Sequence, residues 1–113
     1  MLAMERSFSV GKGNTVWLFE IQQKDATDVS GHFSLFPNGE AQPPVEFDPV
    51  TKRLILDVEE DLGIEPDNLE GMAFGPPLAD GRLPLILVSD NNFSSGQVTQ
   101  FIALAVELEA AAD

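Results

Sequence analysis

Apolar residues fall in short bursts along the chain, separated by Gly, Pro, Asn and Asp. That is the punctuation of strands and tight turns. The first burst, MLAM, opens at residue 1, and TVWLFEIQ spans residues 15–22. In the latter both alternating sets are apolar: Val16 and Leu18 on one side, Trp17, Phe19 and Ile21 on the other. This predicts a strand covered on both faces. GKGN at 11–14 reads as the hairpin turn between the two bursts. HFSLF, at 32–36, reads as a short strand, and FPNGEAQPPVEFDP, at 36–49, as a loop.

KRLILDVEED, residues 52–61, predicts a strand that runs into an acidic end. NLEGMAFGPP, residues 68–77, predicts another, in which Gly71 implies a bulge or a close backbone approach. LPLILVSDNNF, residues 83–93, is the most apolar segment and reads as buried on both faces as far as Ser89. In TQFIALAVELEAAAD, Phe101, Leu104, Ala105 and Leu108 have helical spacing, whereas Ile102, Leu104, Val106 and Leu108 alternate as in a strand. The preferred reading is a strand through Glu107, then a frayed or helical Ala-rich tail. About six antiparallel strands with Gly/Pro turns predict an all-β fold. Two segments, MLAMERSFS at 1–9 and LILVSDNNFS at 85–94, share an apolar strand, a polar stop and Phe-Ser. Each leads through a Gly-containing turn into another apolar strand, which reads as two related β-meanders.

Composition narrows the function classes. At 113 residues the chain is one domain's worth, and 43% hydrophobic content argues that it folds. Six Lys+Arg against 19 Asp+Glu give a formal charge of −13. Such a surface repels phosphate backbones and anionic lipid, so no nucleic-acid or membrane partner is expected. A cation, or a substrate carried by one, fits better; solubility alone is the plain alternative. The absence of cysteine excludes disulfides and thiolate metal sites, and a single histidine, His32, excludes a multi-His zinc cluster within one chain. MLAMERSF lacks the pattern of a signal peptide, and the longest apolar runs, about six residues, fall far short of the roughly 20 that span a bilayer.

A family likeness rests on MERSFS at 4–9, GKGNTVWLFEI at 11–21, ATDVSG at 26–31 and the long stretch from Lys52 to Glu107. DNLEGMAFGP at 67–76 and LILVSDNNFS followed by QVTQF are its most specific parts. These resemble the C-terminal third of the phytase-like family, also called "esterase-like activity of phytase". The resemblance implies a β-propeller-like fragment of about two blades over residues 1–107, with an acidic Ala-rich tail at 108–113. It further implies acidic residues near a channel mouth and hydrolysis of phosphate or other esters. Family members are longer, with a secretion signal and earlier blades, so a periplasmic or secreted location is implied for the full-length relatives. MLAM stands where the family continues a strand from upstream. The short chain alone is therefore expected to lack the activity of a site that draws on other blades.

Within that frame Glu70, which follows Asn68 on an inward-reading strand, is a candidate general base or Ca²⁺ ligand. Its plain alternative is a structural carboxylate bonded to loop amides. Asp90, Asn91 and Asn92 follow a buried strand directly and offer hard oxygen ligands for Ca²⁺ or Mg²⁺, or else a turn that caps its own backbone. Glu5 and Arg6 sit at the first meander's polar stop, as an ion pair or with Arg6 gripping a phosphate or carboxylate. The candidate set is thus Glu70 and Asp90 for catalysis, Arg6, Asn91 and Asn92 for substrate, and Glu5, Asn68, Glu70 and Asp90 for Ca²⁺. Asp57, Glu59, Glu60 and Asp61 read as a solvated strand edge, with a weak cation site as the lesser reading. No G-x-S-x-G surrounds Ser7, Ser9 or Ser89, so none is a nucleophile elbow.

Two functions follow: a metal-assisted esterase or phosphoesterase in the full-length parent, or a non-catalytic propeller module for interaction or scaffolding. Apolar blade faces without neighbouring blades would be exposed, so a homo-oligomer, dimer or trimer, is expected.

Overall fold

The computed structural model describes residues 1–36, 39 and 46–109. Six strands form two sheets of three: β1 (Leu2–Ser9), β2 (Gly13–Gln22) and β3 (Thr51–Asp57), then β4 (Leu69–Phe74), β5 (Leu83–Ser89) and β6 (Phe101–Val106). Each sheet is an antiparallel meander with its strands in chain order. The fold is all-β, and the paired meanders are two blades of a β-propeller-like architecture.

Strand alternation decides what lies between the blades. Met4 pairs with Leu18 and Leu18 with Leu56, so these share one face of the first sheet with Val16 and Leu2. Leu85 pairs with Leu104 and Leu87 with Ile102 on the facing side of the second. Val16, Leu18, Val58, Leu69, Leu85, Leu87 and Ile102 are buried together as one core between the sheets. The opposite faces are also apolar but open. On the first sheet they carry Trp17, Phe19 and Ile21, half-buried, and Leu54, exposed. On the second they carry Ile86 and Val88, half-buried, and Phe101, 70% exposed. The two-sided burial predicted for β2 and β5 is therefore met on one face only, because the chain stacks one sheet on one other.

Three local expectations are corrected. The acidic run does not end a strand: β3 stops at Asp57 and a short helix, α1 (Val58–Leu62), follows. Asp57 caps that helix, its Oδ1 accepting from the amides of Glu59 and Glu60 at 3.1 Å each, while Asp61 Oδ2 accepts from Asp57 N at 2.7 Å. Three carboxylates in the first turn suit the positive end of the helix, and Gly63 closes it at φ 63°. HFSLF is not a strand: residues 32–36 form bends within a loop whose neck is tied by Thr27 and Asp48. Among the described residues the segment joins neither sheet, and Phe33 lies fully exposed. The last strand ends at Val106 rather than Glu107; the far end of the predicted tail, 110–113, lies outside the described residues.

The two-meander reading holds, but its internal match is offset by one strand. MLAMERSFS holds the edge strand β1, whereas LILVSDNNFS starts inside the central strand β5 and runs past its end. An apolar run, a polar stop and Phe-Ser suit any strand that ends in a turn, so the pattern does not fix the strand's position in its sheet.

Candidate functional site

The sheets touch through β1 and β4, and it is there that polar side chains converge. Arg6 shares its face with Met4 and Val16, which aims it across the inter-sheet seam. On the other side β4 contains a bulge: the pairing shifts between Leu69, opposite Ser89, and Gly71, opposite Val88, leaving Glu70 as the extra residue. A bulge re-aims the side chain it carries. Gly71 makes it possible, since a Cβ there would lie 2.6 Å from Val88 Cγ1.

The result is a three-residue cluster. Arg6 Nη2 lies 2.8 Å from Glu70 Oε1, and Arg6 Nη1 donates to Asn68 Oδ1. Asn68 Nδ2 donates to the same Glu70 oxygen at 2.9 Å. Both contacts on Glu70 fall on Oε1, so they do not engage Oε2. The Arg6 and Glu70 side chains are 46% and 40% exposed, whereas Asn68 is buried. Among the described residues this is the one ion pair that joins the two sheets. It borders an open cleft of about 370 Å³ lined also by Phe8, Asn14, Asn92 and Gln97.

The remaining candidates lie apart from the cluster or are spent on the backbone. Glu5 points to the opposite face of β1 and pairs with Lys52, so the adjacent Glu5 and Arg6 make no pair with each other. Lys52 also sits 4.4 Å from the centroid of Phe19. Asp90 meets Asn68 through the backbone, its amide donating to Asn68 O at 2.9 Å. Its side chain, though, turns to its own loop, with Oδ1 accepting from Asn92 N at 2.9 Å. Asn91 Oδ1 likewise accepts from Phe93 N at 3.0 Å. These successive Asx turns carry Asn92 and Phe93 at positive φ, 50° and 55°. Of this loop, Asn92 alone among the sequence candidates reaches the cleft, its Nδ2 donating to Gln97 Oε1 at 3.0 Å.

Phe8, Asn14 and Gln97 were not legible as site residues. Phe8 and Asn14 pair across the β1–β2 hairpin, and Gln97 arrives from a loop far along the chain, so no local motif joins them. Beside the cleft, Asp67 and Gln100 form a structural clasp. Asp67 Oδ2 accepts from Val98 N at 3.0 Å, and Gln100 Oε1 from Asp67 N at 2.9 Å.

Two antiparallel meanders stacked face to face, with a polar cluster where their edge strands meet, are the build of a β-propeller segment. A family model described as "Phytase-like: Esterase-like activity of phytase" matches residues 1–93. The chain belongs to this phytase-like family, and the matched stretch holds Arg6, Asn68, the bulged Glu70 and the Asp90 loop. No curated protein and no solved structure matches the chain.

Proposed function

We propose that the chain forms the C-terminal blades of a phytase-like hydrolase and carries an ester-cleaving cluster in which Arg6 and Glu70 act and Asn68 holds both. The observation that supports this most is the bulge at Glu70. A regular strand would bring no carboxylate out of register to the cleft, yet here a bulge does so, beside a glycine at which a Cβ would lie only 2.6 Å from Val88 Cγ1. In this reading a water beside Glu70 attacks the carbonyl carbon or the phosphorus. Its proton passes to the carboxylate as the new C–O or P–O bond forms. Negative charge growing on the substrate oxygen is met by the Arg6 guanidinium. The bond to the alcohol then breaks, and the alcohol leaves with the proton from Glu70.

Calcium does not fit the residues that the sequence nominated. Ca²⁺ takes six to eight oxygens, whereas the Asn68 oxygen and one Glu70 oxygen are held by Arg6, whose charge opposes a cation. Glu5 faces the other side of β1, and Asp90 is committed to its turn. No group of three or more metal-binding carboxylate or histidine side chains occurs among the described residues. No step is therefore routed through a metal.

The rival reading is a scaffold in which the cluster only latches two blades. It is favoured by the mutual satisfaction of Arg6, Asn68 and Glu70. All three lie in this chain, which replaces the expectation that the short chain is inactive, so the two readings separate in it. With p-nitrophenyl acetate and p-nitrophenyl phosphate at high protein concentration, turnover above buffer is expected, falling at least about 10²-fold in Glu70→Gln. No turnover of either substrate leaves the latch.

A further inference from the structure

The two outer sheet faces differ in a way that makes each fit the other. On the first sheet the register sets Trp17, Phe19 and Ile21 of β2 on the outer side with Leu54 of β3, a face of large side chains. On the second sheet Ile86 and Val88 of β5 stand outside, flanked by Gly71 and Ala73 of β4 and by Ala103 of β6. Small residues therefore lie on either side of a central aliphatic row. Sheets stack at a spacing of about 10 Å, and volume must be filled evenly across that gap. Two copies of the first face would set ring against ring. Two copies of the second would set alanine against alanine and leave voids. Large against small fills the gap.

Charge agrees with this pairing. The regular strand positions of the second face carry no charge. On the first face Glu5 and Lys52 pair with each other, and Asp57 accepts from Trp17 Nε1 and from the amides of α1. An uncharged partner thus leaves no charge unpaired. The chain itself already stacks its first sheet on its second, with β1 against β4. Carried on between copies, the same stack brings β3 of one copy over β6 of the next. Each sheet has strands of up to about seven residues, so a face measures roughly 14 × 23 Å, about 300 Å². One contact between copies then covers about 600 Å² in all, short of the roughly 1,200 Å² of a stable complex. A closed ring makes one contact for every copy, and even a ring of two reaches that area.

We infer that a second copy of this chain covers these faces head to tail, the outer face of the first sheet seated on the outer face of the second, and that the series closes on itself. Such a contact is heterologous, unlike the self-matching contact of two faces back to back. It does not depend on any reaction at the cleft.

The chain has no cysteine, so single thiols can be placed at will. Leu54→Cys marks the first outer face and Ala103→Cys the second, at exposed positions outside the core. Each variant alone, and an equimolar mixture of the two, is treated with a bismaleimide that spans about one sheet-to-sheet distance. Circular dichroism checks that both fold. Covalent dimers of the 12.2 kDa chain are expected in the mixture and in neither variant alone. They are expected to be lost when Phe101→Glu is added to the Ala103→Cys chain, since Phe101 stands on that same face. Dimers formed by either variant alone would mean that like faces meet, and would overturn the inference. No dimer in the mixture would overturn it as well, and would leave the faces to a partner other than a second copy.

Discussion

At the scale of single residues, Gly71 and Glu70 do most to shape the site. Adding a methyl group at Gly71 puts it 2.6 Å from Val88 Cγ1, so the bulge must shift or Val88 must turn. Gly71→Ala is expected to cost about 1–3 kcal/mol in urea unfolding and to weaken whatever the cleft does, because Glu70 moves with the bulge. The Arg6–Glu70 pair is half-exposed, and a double-mutant cycle is expected to give at most about 1 kcal/mol of coupling. A structural latch alone would leave catalysis outside that cycle. Gly71 was legible from the sequence, since a lone glycine in an apolar strand signals a bulge. The separation of Glu5 from Arg6 is equally elementary, because neighbours on a strand face opposite ways. What could not be read were the partners of Arg6: Asn68, which lies 62 positions along the chain, and Glu70 just beyond it. Away from the cleft, the Asp80 carboxyl is held below its ordinary value of 3.8 by the side-chain hydrogen bond from Arg82, helped by the Arg82 amide. Whatever this turn contributes to stability is therefore present above pH 3.8 and lost as pH falls through the lowered value. An NMR titration of Asp80 is expected to show its midpoint rising when Arg82 is replaced by Ala.

At the scale of elements, the strands followed from apolar bursts and turns, and the errors have physical causes. KRLILDVEED reads as one strand only while the acidic residues count as an exposed end. Their spacing instead lets Asp57 accept from two helix amides and Asp61 reach back to Asp57 N. That is a start signal for a helix, with Gly63 as its stop. Asp57 also accepts from Trp17 Nε1 at 2.8 Å, so it ties the helix start to β2. Asp57→Ala is expected to lower stability by about 1–2 kcal/mol, as a lost cap does, and to change the Trp17 fluorescence in the folded state. Asp57→Asn, which keeps the capping oxygen, is expected to recover most of the loss. HFSLF failed as a strand for a different reason: β propensity alone does not make a strand, and among the described residues the segment joins neither sheet.

At the scale of the whole molecule, the chain is wide and flat. Its extents are 44 × 42 × 23 Å and its radius of gyration is 17.5 Å, against about 13 Å for a compact domain of similar length. One core joins the two sheets, while both outer faces carry large apolar side chains, Leu54 at 51% and Phe101 at 70% exposure among them. The inner faces show that such surfaces pack by stacking sheet on sheet. The same contact made between copies is expected to cover the outer faces as a dimer or trimer. Phe101→Glu is expected to shift that assembly towards monomer while leaving the inner core, which Phe101 does not join, intact.

The most direct test of this architecture is the solution mass by multi-angle light scattering, taken in Ca²⁺ and again in a chelator. The expected result is a discrete dimer or trimer of the 12.2 kDa chain with the same mass in both. A compact monomer at working concentration would contradict the claim that two stacked blades leave faces needing cover. An oligomer that dissolves on chelation would contradict the assignment of Glu5, Glu70 and Asp90 to ion pairs and turns.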